Sequence, residues 1–230
     1  MKPQPIYLFA DSQLLFWREG GNLFLDSVRR LVTRDSPRGA YIGASNGDTP
    51  EYYSIFEAAM ARAGVGNCRM IASPFPPEDQ SFLNEADIIL LAGGDFERGW
   101  DVFVETGMRE FVVRRYYEGA VLMGVSAGAV QLGLCGLSER GGPAAGLSAT
   151  FGLIPFVVDA HDEGREWGRL RRALRLMGGG AKGIGIPAGG GLIYFPDGRV
   201  EAIRRPLREL SAEGGESRDA LLLPEQARVK

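Results

Sequence analysis

The chain has 230 residues, 45% hydrophobic and 24% charged, with a net charge of −3. That is ordinary globular composition and ample for one sizeable core, and it lacks the basic excess of a nucleic-acid binder. Cys68 and Cys135 lie far apart, which argues against a disulfide framework or a zinc cluster.

From the N-terminus, Met1-Lys2-Pro3-Gln4-Pro5 leads into a short apolar run without the apolar core of a signal peptide, and no later stretch reaches membrane-span length. A cytoplasmic protein without membrane attachment is expected. Ile6 to Ala10 predicts a first strand. Leu23 to Val32 predicts a helix, with Leu25, Val28, Leu31 and Val32 at helical spacing. Ala40 to Ala44 is a buried-strand candidate ending in the polar loop Ser45 to Pro50, and Glu51 to Ala63 follows as a helix. Cys68 to Ile71 predicts another strand, Pro74-Phe75-Pro76-Pro77 a connector, and Ala86 to Ala92 a strand stopping at Gly93-Gly94-Asp95. Trp100 to Tyr117 has the pattern of one long helix.

The apolar run Ala120 to Met123 then enters Gly124-Val125-Ser126-Ala127-Gly128, and a helix-compatible stretch follows. A glycine two places either side of a serine lets strand and helix meet where a Cβ would crowd. In that strand–turn–helix context, G-x-S-x-G is the pattern of a nucleophile elbow. Gly133 to Thr150 is rich in small residues and predicts irregular chain. Pro155 then opens a strand, Phe156 to Ala160, that delivers His161, and Glu166 to Met177 predicts a basic helix. Ile184 to Pro187, Gly191 to Phe195 and Val200 to Ile203 predict late strands, the last two a hairpin through Pro196-Asp197-Gly198. Residues 1–210 are expected to form a single α/β domain, a mostly parallel sheet sandwiched by helices. The charged and small residues of 211–230 are expected to be poorly ordered. The loops at Ser45, Gly93, Ser126 and His161 all begin where strands end, so they should share one rim.

A serine hydroxyl needs a positioned base, and His161 is the chain's one histidine. A third group must orient the imidazole. Glu139 has the chain order nucleophile, acid, base, while Asp159, two residues from His161, points to the same side of an extended strand. Acyl transfer also needs donors to the developing oxyanion, for which the amides of Ala127 and Gly94 are placed. Gly93-Gly94-Asp95 also suits a phosphate loop, but there is no G-x-G-x-x-G and no G-K-[ST]. Neither a cofactor nor a metal is expected.

Leu91-Ala92-Gly93-Gly94-Asp95, Gly124 to Ala129, Asp159-Ala160-His161 with the arginines after it, and Gly183-Ile184-Gly185-Ile186 together resemble peptidase family S51, the serine peptidases of the dipeptidase E and cyanophycinase type. The resemblance runs from about Tyr41 to Ile203. It implies a glutamine-amidotransferase-like α/β fold with Ser in place of Cys. It also implies Ser126 as nucleophile, His161 as base, Gly94 and Ala127 as oxyanion donors, and a third residue near Glu139. The implied substrate is a short aspartyl peptide, cleaved by a monomer or homodimer. An aspartate side chain calls for an arginine fork. Arg165 and Arg169, four apart on the predicted helix, are the candidates, with Asp95 beside them for substrate binding. Where relatives tend to carry an acid after Gly-Ile-Gly-Ile, this chain has Pro187-Ala188. An esterase of the α/β-hydrolase kind and a non-catalytic binding protein on the same scaffold are the competing readings.

Overall fold

The apolar runs of the sequence become strands buried on both faces. The computed structural model describes residues 2–138, 140, 142, 146–178, 180–213 and 216–225. β1 (Ile6–Phe9) leads through a small ladder of β2 (Arg18–Glu19) and β3 (Asn22–Leu23) into α1 (Leu25–Arg29). Strand and helix then alternate: β4 (Arg38–Ile42), α2 (Pro50–Arg62), β5 (Asn67–Ile71), α3 (Pro77–Leu83) and β6 (Ile88–Leu91). After these come α4 (Phe96–Thr106), α5 (Met108–Tyr117), β7 (Val121–Val125) and α6 (Ala127–Leu132). Beyond α6, β8 (Gly136–Leu137) pairs with β9 (Leu147–Ser148), and β10 (Val157–Ala160), α7 (Gly168–Met177) and β11 (Lys182–Ile186) follow. Two hairpins come last: β12 (Gly191–Tyr194) with β13 (Val200–Ile203), and β14 (Leu207–Glu213) with β15 (Glu216–Leu222).

The large sheet has the order β13-β12-β1-β7-β6-β4-β5. Strands β1, β7, β6, β4 and β5 are parallel neighbours, and β12 and β13 add an antiparallel edge. Successive side chains of a strand point to opposite faces, and β6 shows the result. Ile89 and Leu91 join Phe103, Val112 and Leu132 from α4, α5 and α6 on one face. Ile88 and Leu90 join Phe56, Met60, Leu25 and Val28 from α2 and α1 on the other. A second sheet, β10-β11-β14-β15, packs on the α4–α6 side through Val158, Ile184 and Leu207. Helix α6 is pressed between the two sheets, against β7 and β10. No helix among the described residues is long and apolar enough to cross a membrane.

Several elements differ from the sequence expectation. The single helix over Trp100 to Tyr117 is two helices, because Gly107 takes the left-handed conformation (φ 73°) between α4 and α5. Helix α4 starts earlier, at Phe96, where the Asp95 side chain caps it. The proline connector instead opens α3, since Pro77 at a first helical position gives up an N–H that would have no helical partner. Helix α7 begins at Gly168, after Glu166 (φ 53°) and Trp167 (φ 60°) in the left-handed region. The stretch from Ser211, expected to be poorly ordered, continues β14 and forms β15 as far as Leu222. Buried Leu207 and Leu210 anchor that hairpin, β14 extends β11, and Asp219 pairs with Arg171 and Arg208 at 2.7 Å each.

Candidate active site

Ser126 is the residue between β7 and α6, and its backbone sits at φ 51°, ψ −110°. For a residue with a Cβ this conformation costs on the order of 1–3 kcal/mol, so its surroundings must impose it. The Ser126 amide donates to the Phe9 carbonyl at 2.9 Å, and its own carbonyl accepts from Ala129 and Val130. The two elbow glycines let the backbones close up. A Cβ on Gly124 would lie 2.6 Å from the Gly128 backbone, and one on Gly128 would lie 2.1 Å from the Leu91 carbonyl oxygen. The serine is thereby held at the tip of the turn.

His161 follows β10 of the second sheet. It is also left-handed (φ 45°), and its amide donates to the Ile186 carbonyl of β11 at 2.8 Å. This places His161 Nε2 2.7 Å from Ser126 Oγ, a hydrogen-bond distance across the junction of the two sheets. The two residues thus do share one rim.

The loop after β6 completes the rim. Gly94 has φ 139°, and a Cβ there would lie 2.2 Å from the Ser45 carbonyl oxygen, which instead accepts the Asp95 amide at 2.8 Å. Ala127 is the first residue of α6, so its amide has no acceptor within the helix. Two residues that the sequence reading passed over fix this loop. Gln131, fully buried in α6, donates through Nε2 to Ser45 Oγ at 3.1 Å and to the Phe96 carbonyl at 3.0 Å. Asn46 donates through Nδ2 to the Gly93 carbonyl at 3.2 Å and to the Tyr41 hydroxyl at 2.9 Å. The one sequence signal was an amide side chain inside the apolar run Ala129-Val130-Gln131-Leu132.

Two cavities meet at the serine. A charged cleft of about 440 Å³ is lined by Gly94, Asp95, Ala127, Asp159, His161 and Arg169 as well as Ser126. A pocket of about 290 Å³ opens towards α2 and shares Gly94, Ser126 and His161 with it. Arg169 lines the cleft, but Arg165 does not. Arg165 lies in a separate 3-10 turn, Glu163–Arg165, and is exposed, so the two arginines do not share a helix face. Asp95 lines the cleft while its Oδ1 accepts the amides of Glu97 and Arg98, both at 2.9 Å. Glu139 lies outside the described residues.

Asp159 is 4% exposed. Its Oδ1 accepts the Ala160 amide at 3.0 Å, and its Oδ2 has no hydrogen-bond partner among the described residues. No described carboxylate is hydrogen-bonded to the imidazole of His161. Burial pushes the Asp159 carboxyl up to about 6, against the opposing pull of Arg169. The folded chain therefore holds this proton to a higher pH than the unfolded chain does. Its ionisation costs nothing below about pH 4 and reaches its full cost once pH passes about 6. Asp159→Asn is accordingly expected to stabilise the protein at pH 7.5, by at most about 3 kcal/mol, and to leave it unchanged at pH 4. Thermal melts at the two pH values check this.

The family model for peptidase family S51 matches residues 18–201. The chain belongs to peptidase family S51. The uncharacterized peptidase YgaJ of Bacillus subtilis (strain 168) is 26% identical over 136 residues, 58% of this chain. The matched stretch spans 59% of that relative's length. Two solved structures share the fold. A peptidase from an acI-B1 actinobacterium superposes with TM-score 0.68 at 16% identity, covering 95% of this chain and 97% of the other. A candidate peptidase E protein from Listeria monocytogenes EGD-e gives TM-score 0.64 at 12% identity, covering 88% and 99%.

The backbone of Pro187-Ala188-Gly189 is held by two carboxylates distant in sequence. Glu163 Oε1 accepts the Ala188 amide at 3.0 Å, and Asp11 Oδ2 accepts the Gly189 amide at 2.6 Å. Among the described residues, no group of three or more His, Cys, Asp or Glu is arranged to hold a metal ion.

Proposed function

We propose that this S51 protein is a cytoplasmic serine peptidase that releases an N-terminal aspartyl residue from short peptides. The 2.7 Å approach of Ser126 Oγ to His161 Nε2 carries the reading. With the ring proton on Nδ1, the hydroxyl donates to Nε2 and is poised to lose its proton to it. Attack of Oγ on the scissile carbonyl forms the tetrahedral intermediate, whose oxygen is received by the amides of Gly94 and Ala127. The imidazolium then protonates the departing amine, leaving an acyl-enzyme on Ser126. Water, deprotonated by His161, hydrolyses that ester and frees the serine.

The charged cleft supports the aspartyl preference. Arg169 is the fork for the substrate carboxylate, and Asp95 is a further contact through the oxygen that does not cap α4. For the third member of the triad, Asp159 is the described candidate, because its charge is close enough to interact with His161; Glu139 is the other. The free thiols of Cys68 and Cys135 suit a reducing compartment.

A fluorophosphonate probe and a panel of Asp-X, β-Asp-X and non-acidic dipeptides test the proposal. The expected result is labelling at a single serine, with Asp-X cleaved at least about tenfold faster than non-acidic dipeptides. Absence of labelling, under conditions where a known serine hydrolase reacts, points to a binding protein. Labelling with cleavage of short acyl esters but of no peptide points to an esterase.

A further inference from the structure

The pocket towards α2 has a different chemistry from the cleft on the other side of the serine. Its walls are Leu15 from the 3-10 turn after β1, Tyr41, Leu90 and Ala92 at the carboxyl ends of β4 and β6, and Ile55 and Phe56 of α2. Two of its polar side chains are already engaged. The Asp11 carboxylate accepts the amides of Gln13 and Gly189, and the Asn46 amide group bonds Tyr41, Gly93 and Thr49. No described lysine or arginine lines it, whereas Arg140 and Arg169 line the cleft. Tyr52, 54% exposed, stands among its lining residues.

A substrate bound across Ser126 has to place one side of its scissile bond in each cavity, because both include Ser126 and His161. Ala127 lines the cleft and not the pocket, so the acyl part, whose oxygen the proposed mechanism assigns to the Ala127 amide, is placed there. The leaving residue is then directed to the second pocket. We infer that this apolar pocket is the subsite for the residue following the scissile bond, and that it selects a large apolar or aromatic side chain there. This rests on the serine-peptidase reading and adds the second half of the substrate. Among the described residues the pocket has no lysine or arginine for a terminal carboxylate, so it recognises the side chain and does not restrict the enzyme to dipeptides.

The test is a series with the first residue held constant, Asp-X with X as Gly, Ala, Leu, Phe and Lys, together with Asp-Phe-amide. Burial of a large apolar side chain should raise kcat/KM for Leu and Phe roughly tenfold or more over Gly. Asp-Phe-amide should be cleaved within about threefold of Asp-Phe, since no cation is there to lose its partner. Filling the pocket with Ile55→Trp should bring the Phe-to-Gly ratio down towards one. If that variant fails to fold, product inhibition of the wild type supplies the same information: free leucine and phenylalanine should compete at least about tenfold better than glycine. A flat series with equal product inhibition overturns this inference and leaves the peptidase reading standing. Cleavage of no peptide at all overturns both.

Discussion

Ser126→Ala is expected to lower kcat on aspartyl peptides by about 10⁴- to 10⁶-fold, the scale set by removing the nucleophile of a serine hydrolase. The loss should appear in kcat with little change in KM, because in the proposed mechanism the hydroxyl acts on the carbonyl and does not hold the rest of the substrate. Stability should hardly move. Alanine keeps the Cβ that already tolerates φ 51°, and the side chain gives up a single hydrogen bond, to His161, at the open rim. Steady-state kinetics with a thermal melt on the same preparation separates the two effects. Turnover within tenfold of wild type would show that the nucleophile lies elsewhere.

The second large effect is on the fold. Gly128→Ala puts a methyl group 2.1 Å from the Leu91 carbonyl oxygen and 2.6 Å from its carbon. Those atoms cannot retreat, because β6 is a central strand paired with β4 on one side and β7 on the other. Overpacking of this kind against backbone is expected to cost about 3 kcal/mol or more, the upper end for an added methylene. It would also push α6 away from the loop that carries Gly94, so activity should fall beyond what the unfolded fraction explains. Urea denaturation measures the first effect, and kcat/KM in the native baseline the second. Gly66→Ala is the control: nothing lies within 4 Å of its Cβ position, and its stability should stay within about 0.5 kcal/mol of wild type.

The parts of the fold visible in the sequence were those encoded by local pattern. Strand β6 is a run of four apolar residues ending at a Gly-Gly, and Ser126 lies between glycines where such a run meets a helix. The chain's one histidine left no choice of imidazole base. What escaped depended on contacts distant in sequence. Gln131 reaches Ser45, 86 residues away. Arg165 and Arg169 looked like neighbours on one helix, and only the left-handed pair Glu166-Trp167 separates them. The β15 strand is polar by composition and forms because β14 offers it an edge, with Asp219 drawing in Arg171 and Arg208. The orienting acid remained undecided in the sequence because several carboxylates lie near His161 in the chain, and spacing alone does not rank them.

The hydroxyl hangs from the seven-stranded sheet and the imidazole from the four-stranded one, with α6 wedged between. In the proposed mechanism neither sheet by itself contains a reactive centre: residues up to the end of α6 would supply the attacking oxygen and both amides, and the later part of the chain the proton acceptor. Chemical competence is therefore a property of how two layers seat against one another. A slip of one ångström along that seam would silence the protein while leaving every strand and helix intact, invisible to circular dichroism and plain to a substrate.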